Sequence, residues 1–263
     1  MKINQPKALF ILGTAFSGST LLGQILSNRP NATFVGELFD VHQGWRKAQC
    51  SCPQGFDCEF WNGIQFDDTV YQQLLSRTEG LLIDASKYPQ WILPHAKAMD
   101  ESKVVVLFTY PENFLFGYYK RKLLRDWGGE TDASWTIDDR LALYVSWYRK
   151  ALEASLSGRI HFLSYEAFTN RTTVSLQRLH QLLGTQYRDG EERFWEKTDN
   201  HILGSNGSVI EQIRLGQSKS SGVIEFRDHR AFVKQEAPRW DERCEQATIV
   251  HREMLHRAAA EHL

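Results

Sequence analysis

Short, wholly apolar runs alternate along this chain with longer stretches in which apolar residues recur every three or four positions. Runs of the first kind read as strands buried on both faces, and stretches of the second kind as amphipathic helices. Residues 8–12, Ala-Leu-Phe-Ile-Leu, predict a first strand that ends at Gly13. From Thr20 to Leu26 the spacing of Leu21, Leu22, Ile25 and Leu26 predicts a helix, broken by Asn28-Arg-Pro-Asn31. A second strand is expected over 33–39 with Glu37 at its end, and a helix over 69–79. The run 80–84 predicts a third strand that delivers Asp84-Ala-Ser86-Lys87 at its carboxyl end, followed by a short helix over 89–100. The β-branched run 103–109 reads as a fourth, fully buried strand. Helices are expected over 113–125 and 137–156, a fifth strand over 159–163, and a helix over 172–183 stopped by Gly184. Two stretches break the rhythm: 40–63, an irregular excursion rich in Cys and Trp, and 204–230, a late loop of Gly, Ser and charged residues. Residues 240–263 close the chain as a helix. Strand–helix alternation of this kind predicts a single α/β domain over 1–263, a three-layer fold with a parallel sheet between helices.

The first strand, the small-residue loop Gly13–Gly18 and the helix that follows together make an anion cradle. Amides at a helix N-terminus have no intrahelical acceptor, and the helix dipole favours negative charge there. Ser17, Ser19 and Thr20 add hydroxyls to those amides. The outline is that of a P-loop, but Ser19 stands where such a loop carries its phosphate-binding Lys. An anion-binding loop is therefore expected, and a typical ATPase, GTPase or small-molecule kinase is not. In open α/β sheets ligands bind at the carboxyl ends of the strands. Besides the loop, those ends carry Glu37, Asp84/Ser86/Lys87 and Thr109. A phosphate cradle, a carboxylate and an ammonium sharing one cleft suit transfer of an anionic group to a hydroxyl or amine.

Composition narrows the setting. A net charge of −1 and a pI of about 6.8 argue against a nucleic-acid or other polyanion surface. No run approaches the ~20 apolar residues of a membrane span. The N-terminal residues lack a signal-peptide core, so a cytoplasmic location is the expectation. Three of the four cysteines, Cys50, Cys52 and Cys58, crowd into the excursion, and Cys244 lies apart. Their spacing matches no standard zinc pattern, and His42 is the nearest further ligand in sequence. A loop of free thiols, with no metal, is the expected reading. Nothing in the sequence fixes an oligomeric state.

The chain resembles the PAPS-dependent sulfotransferases, which move a sulfuryl group from 3′-phosphoadenosine 5′-phosphosulfate. Their donor loop reads close to G-x-x-R-S-G-S-T-L-L, and here it is Gly13-Thr-Ala-Phe-Ser-Gly-Ser-Thr-Leu-Leu22. Bacterial members continue with G-E-L, C-S-C…C-x-F-W and D-x-S-K, matched by Gly36-Glu37-Leu38, Cys50-Ser-Cys52…Cys58-Glu-Phe-Trp61 and Asp84-Ala-Ser-Lys87. Weaker matches are Pro111, Tyr165-Glu166 and His201-Ile-Leu-Gly-Ser-Asn206. The resemblance implies that Glu37 is the general base and that Lys87 stabilises the leaving phosphate. It further implies that Gly13, Thr14, Phe16, Ser17, Gly18, Ser19 and Thr20 line the donor phosphates, with Thr109 and Gly117 at the 3′-phosphate. The late loop would cover the donor, and a small molecule would be the acceptor. Trp45, Phe56, Phe60 and Trp61 of the excursion, with Trp127, Trp135 and Trp147, are candidates for an aromatic acceptor pocket.

The departures from the family pattern share a theme. Phe16 replaces the loop Arg, Thr109 and Tyr110 replace the Arg and Asp of R-D-P, Gly117 replaces a Ser, and Val209 falls where a further Arg is usual. Losing three cationic partners at roughly 1.5–3 kcal/mol each would cost at most ~5–9 kcal/mol of donor binding. Arg121 and Arg227 are the candidate replacements, among other basic residues of the same helix and the late loop. Two alternatives stay open: a different donor or reaction on the same scaffold, and a non-catalytic binding protein.

Overall fold

The five apolar runs lie side by side in one parallel sheet. In the computed structural model β1 (Ala8–Gly13), β2 (Ala32–Gly36), β3 (Leu81–Lys87), β4 (Ser102–Phe108) and β5 (Ile160–Ser164) are ordered β2-β3-β1-β4-β5. The residues described are 6–45, 50–52, 54–123, 136–154, 156, 158–194, 201–203, 228–237 and 239–261, without the side chains of 120–123. Among them, the helices are α1 (Ser19–Ser27), α2 (Leu38–His42), α3 (Val70–Leu75), α4 (Pro89–Ala98), α5 (Pro111–Leu123) and α6 (Ile137–Leu152). They continue with α7 (Tyr165–Asn170), α8 (Thr172–Leu183), α9 (Arg230–Glu236), α10 (Trp240–Arg243) and α11 (Glu245–Ala260).

Why these strands are apolar throughout is clear from the layers. Phe10, Leu12, Val104, Val106 and Phe108 point into one core with Phe114, Tyr144, Tyr148 and Met254. Leu9, Ile11, Val105 and Leu107 point into a second core with Leu22, Ile25, Leu176 and Leu179. A sheet covered on both faces has no polar side, so period-two alternation is lost. Each such side chain contributes roughly 1.5–3 kcal/mol when fully buried. The chain is thus a three-layer α/β domain. No helix among the described residues is long and apolar enough to cross a membrane.

The connection after β1 leads toward β2 on one side of the sheet, whereas the connection after β4 leads toward β5 on the other. A crevice opens between neighbouring strands whose connections diverge in this way. The loop after β1 and the residues after β4 therefore line the same cleft.

Several boundaries differ from those predicted. β2 stops at Gly36, so Glu37 is not a strand residue but the N-cap of α2. β3 runs on through Lys87 rather than ending at Asp84. Residues 40–63 are not wholly irregular: α2 extends to His42, and 3₁₀ turns form at Gly55–Asp57 and Glu59–Trp61. The helix α9 forms in a stretch for which no element is predicted, and the closing helix is divided at Cys244 into α10 and α11. The predicted late loop 204–230 lies almost wholly outside the described residues.

Gly36 marks the tightest approach near the cleft. Its φ is +87°, and a Cβ there would sit 2.0 Å from the carbonyl oxygen of Leu203. Gly36→Ala should lower stability by roughly 1–3 kcal/mol through backbone strain and displacement of Leu203. Urea denaturation reads this as a lower midpoint at unchanged slope; an unshifted midpoint would contradict the packing described.

Candidate active site

The loop that joins β1 to α1 is built to leave an N-terminus open. Gly18 is the N-cap of α1 in the left-handed region, at φ 86° and ψ 13°, and it supplies no side-chain acceptor. Any other residue would be strained there, and a Cβ would come within 2.3 Å of the Tyr165 ring. Ser17 Oγ and Ser19 Oγ are buried without a hydrogen-bonding partner. Two orphaned hydroxyls beside a helix N-terminus are what an oxyanion site requires, since burying such groups unpaired costs roughly 1–3 kcal/mol each. Thr14 faces elsewhere: its amide and hydroxyl both lie 3.2 Å from the Tyr148 hydroxyl, which in turn donates to the Leu107 carbonyl.

Glu37 and Lys87 meet at the mouth of this loop. Lys87 Nζ donates to Glu37 Oε1, and Thr20 Oγ1 donates to the same oxygen at 3.4 Å. Both charged side chains are nearly covered, at 14% and 10% exposure, so their pairing is weakly screened. The backbone explains the meeting. Between the pairs Phe10↔Asp84 and Leu12↔Lys87 the register of β1 on β3 slips by one residue, a bulge that re-aims the strand end. Lys87 itself has φ 70°, an uncommon conformation for a non-glycine residue. Its carbonyl accepts from Trp147 Nε1 at 2.9 Å. Glu37 is fixed from the other side, where its amide donates to the Leu203 carbonyl at 2.8 Å.

Asp84 and Ser86 do not touch Lys87 through the bonds they make. Asp84 is buried and accepts from the Tyr71 hydroxyl and from Ser86 N and Oγ, at 2.9 and 2.7 Å for the latter two. Burial pushes its carboxyl up to about 6. Ser86 Oγ accepts from the Phe39 amide at 3.0 Å, which ties α2 to β3. These residues brace the two segments that carry Glu37 and Lys87.

Across the cleft, the end of β4 is organised by Glu166, a residue without an assigned role in the sequence reading. It accepts from Thr109 Oγ1, from the Tyr110 amide at 3.0 Å and from Asn113 Nδ2 at 3.2 Å. Ser164 Oγ donates to its other oxygen at 2.8 Å. Thr109 is thus engaged with a carboxylate. Phe16, at φ 66°, packs edge-on against Tyr118 with ring centroids 5.2 Å apart. A Cβ on Gly117 would fall 2.2 Å from the Phe16 ring, so the two substitutions occur together in space. A cation approaches this wall from α9: the Arg230 guanidinium lies 4.3 Å from the Tyr110 ring centroid and pairs with Asp228. Arg121 has its backbone in α5 and its side chain outside the described residues, as is all of Arg227.

A sulfotransferase-domain family model matches residues 6–242. The chain belongs to the sulfotransferase family. No curated protein sequence matches it significantly. Its fold is similar to that of the sulfotransferase domain from the curacin biosynthetic pathway, at 14% identity and a TM-score of 0.53, over 88% of this chain and 97% of that one. It is likewise similar to the sulfotransferase domain of the Synechococcus PCC 7002 olefin synthase, at 15% identity and a TM-score of 0.52, over 90% and 97%. A mouse sulfotransferase, SULT7A1, solved in complex with PAP, matches at 14% identity with a TM-score of 0.51, over 97% and 89%.

In this sulfotransferase the aromatic residues foreseen for a pocket divide into two groups. Trp147 and Trp45 join Tyr88, with centroids 4.8 and 5.7 Å away, next to Lys87. Phe60 and Trp61 instead pack on each other at 5.1 Å, and Phe60 stacks on His201. Phe56 is exposed, while Trp127 and Trp135 lie outside the described residues. His42 does not join the cysteines: its Nδ1 lies 2.8 Å from the Phe66 carbonyl oxygen.

His251 of α11 lies against Tyr110 and Phe108, with centroids 4.9 and 5.5 Å away. Burial lowers its pKa from 6.5 to about 4, Glu166 opposing and Arg230 reinforcing that fall. A depressed histidine gives stability that is present above the unfolded value and lost as pH falls toward the folded one. His251→Leu should therefore gain on the wild type as pH drops from 6.5 to 4, by up to about 3 kcal/mol. Denaturation of both proteins across that range checks it; a pH-independent difference would contradict the neutral, buried imidazole.

Proposed function

We propose that this chain transfers a sulfuryl group from a nucleotide donor to a hydroxyl or amine of a small-molecule acceptor. The observation that carries the reading is the contiguous set of Thr20, Glu37 and Lys87 beside the Gly18-capped N-terminus of α1. When bound, 3′-phosphoadenosine 5′-phosphosulfate would supply the sulfuryl group on a phosphate leaving group. The bond from sulfur to the phosphate oxygen breaks as one forms to the acceptor oxygen or nitrogen. Glu37 takes the acceptor's proton, the role of a positioned general base. Lys87 exchanges its contact with Glu37 for the bridging oxygen, where negative charge grows. Ser17 Oγ, Ser19 Oγ and the first-turn amides hold the 5′-phosphate, which would satisfy the orphaned hydroxyls. Tyr88, Trp147 and Trp45 give the acceptor an aromatic wall beside Lys87. A cytoplasmic setting suits four cysteines that form no disulfide.

A specific observation favours a second reading of the donor. The Phe16 ring occupies the space over Gly117, the corner at which the family resemblance places the 3′-phosphate. The 5′ end of the donor thus fits the residues present, and the 3′ end meets an aromatic ring in place of cations. A donor without the 3′-phosphate, such as adenosine 5′-phosphosulfate, fits that selective loss.

Glu37→Gln and Lys87→Ala should each lower turnover by roughly 10²–10⁴-fold with the circular dichroism spectrum unchanged. Activity within about tenfold of wild type in both variants would remove the pair from the chemistry. Calorimetry separates the donors. Adenosine 3′,5′-bisphosphate binding no more tightly than adenosine 5′-monophosphate supports the second reading; markedly tighter binding supports the first.

A further inference from the structure

The three cysteines of the early excursion do not stand as separate thiols. Cys50, Cys52, Cys58 and His201, which is far away in sequence, gather so that one ligand atom from each lies within 4.8 Å of all the others. His201 Nδ1 is 3.2 Å from Cys58 Sγ and 3.9 Å from Cys50 Sγ. The thiols are buried, at 4%, 8% and 2% exposure. We propose that these four side chains are a structural zinc site that clamps the 201–203 segment to the end of β2 and so fixes Glu37. The site itself is independent of the sulfuryl-transfer reading; only the value of fixing Glu37 rests on it.

Distance decides between a site and a coincidence. Tetrahedral zinc with bonds of ~2.3 Å to sulfur and ~2.0–2.1 Å to nitrogen needs its ligand atoms about 3.5–3.8 Å apart. The His201 distances of 3.2 and 3.9 Å bracket that spacing and no pair of ligand atoms exceeds 4.8 Å, so an ion fits with side-chain shifts of up to about 1 Å. Three thiolates and one imidazole form a closed, four-ligand set, the pattern of structural rather than catalytic zinc, and soft sulfur selects zinc over magnesium or calcium. A disulfide would use two of the thiols and would not account for the imidazole gathered with them.

The surroundings hold the ligands in place. The Cys52 amide donates to Cys50 Sγ at 3.4 Å, an outer contact suited to a thiolate. The His201 ring stacks on Phe60 with centroids 4.3 Å apart and planes 4° apart, which fixes the direction of Nδ1. The two chain segments are laced together beside the site: Ser51 N donates to the Ile202 carbonyl at 3.0 Å, and Ile202 N to Ser51 Oγ at 3.3 Å. From there the connection to Glu37 is direct. Leu203 N donates to the Val35 carbonyl at 2.8 Å, and Glu37 N donates to the Leu203 carbonyl at 2.8 Å. An ion on His201 would thus hold the strand-like segment that supports the base.

Three measurements on the full chain, purified under reducing conditions, test this. Elemental analysis should find about one zinc per chain, and cobalt exchanged into the protein should give the visible spectrum of tetrahedral thiolate coordination. Cys52→Ser and His201→Ala should lose the metal, Cys58→His should keep it by retaining a ligand, and Cys244→Ser should be unaffected. After removal of the ion by a chelator, the amides of Glu37 and Leu203 should exchange with solvent more than about tenfold faster, as local opening becomes easier. No stoichiometric metal after reconstitution with zinc, or a disulfide among the three cysteines, would overturn the site. Unchanged exchange at Glu37 and Leu203 in metal-free protein would overturn the clamp.

Discussion

A helix whose N-cap is a left-handed glycine cannot satisfy its own first amides, and the cleft of this sulfotransferase is arranged around that deficit. Gly18 offers no side-chain acceptor, and the two serines beside it are buried with their hydroxyls unpaired. An unfilled set of donors with a positive dipole behind it is a standing demand for an oxyanion. The fold sets α1 at the edge of the central strand, at the divide between connections that run to opposite sides of the sheet. Glu37 and Lys87 arrive from β2 and β3, and Thr109 and Tyr110 from β4, because every strand is parallel and every carboxyl end opens into the same cleft.

The Glu37–Lys87 pair depends on irregular backbone. β3 gains one residue against β1 just before Lys87, and Lys87 takes a conformation that non-glycine residues seldom adopt. Asp84 and Ser86 hold that irregular strand to α2 and α3 from below, at the expense of a buried carboxyl whose pKa is raised to about 6. Asp84 and Ser86, which share a strand end with Lys87 in the sequence, are thus the support for its strand. On the opposite wall, Phe16 and Gly117 are linked by volume, since the ring takes the space any side chain at 117 would need. What reads as two separate departures along the chain is one contact in space, an aromatic ring over a glycine.

The sequence was most informative where burial is complete. β1, β4, α1 and α8 fall close to the runs and spacings that predicted them, because strands covered on both faces and helices with one apolar stripe leave periodic signatures. The loop after β1 was legible for a different reason: small residues between a strand and a helix have few other uses. Features set by long-range contact were not legible. Nothing near Lys87 announces a bulge, because a one-residue slip in register depends on the neighbouring strand. Glu166 carries no local mark of its bonds to Thr109, Tyr110 and Asn113, all more than fifty positions away. His201 joins cysteines that precede it by more than 140 residues, so sequence proximity favoured His42, which bonds a loop carbonyl instead.

The central claim is that the α1 N-terminus and the Glu37–Lys87 pair serve one anion. A crystal structure of the protein with adenosine 3′,5′-bisphosphate tests it most directly. The account predicts the 5′-phosphate on the amides and hydroxyls of Ser17 to Thr20, with Lys87 Nζ turned from Glu37 to within hydrogen-bonding reach of it. A nucleotide bound away from that loop, or seated there while Lys87 makes no contact with its phosphate, would contradict it.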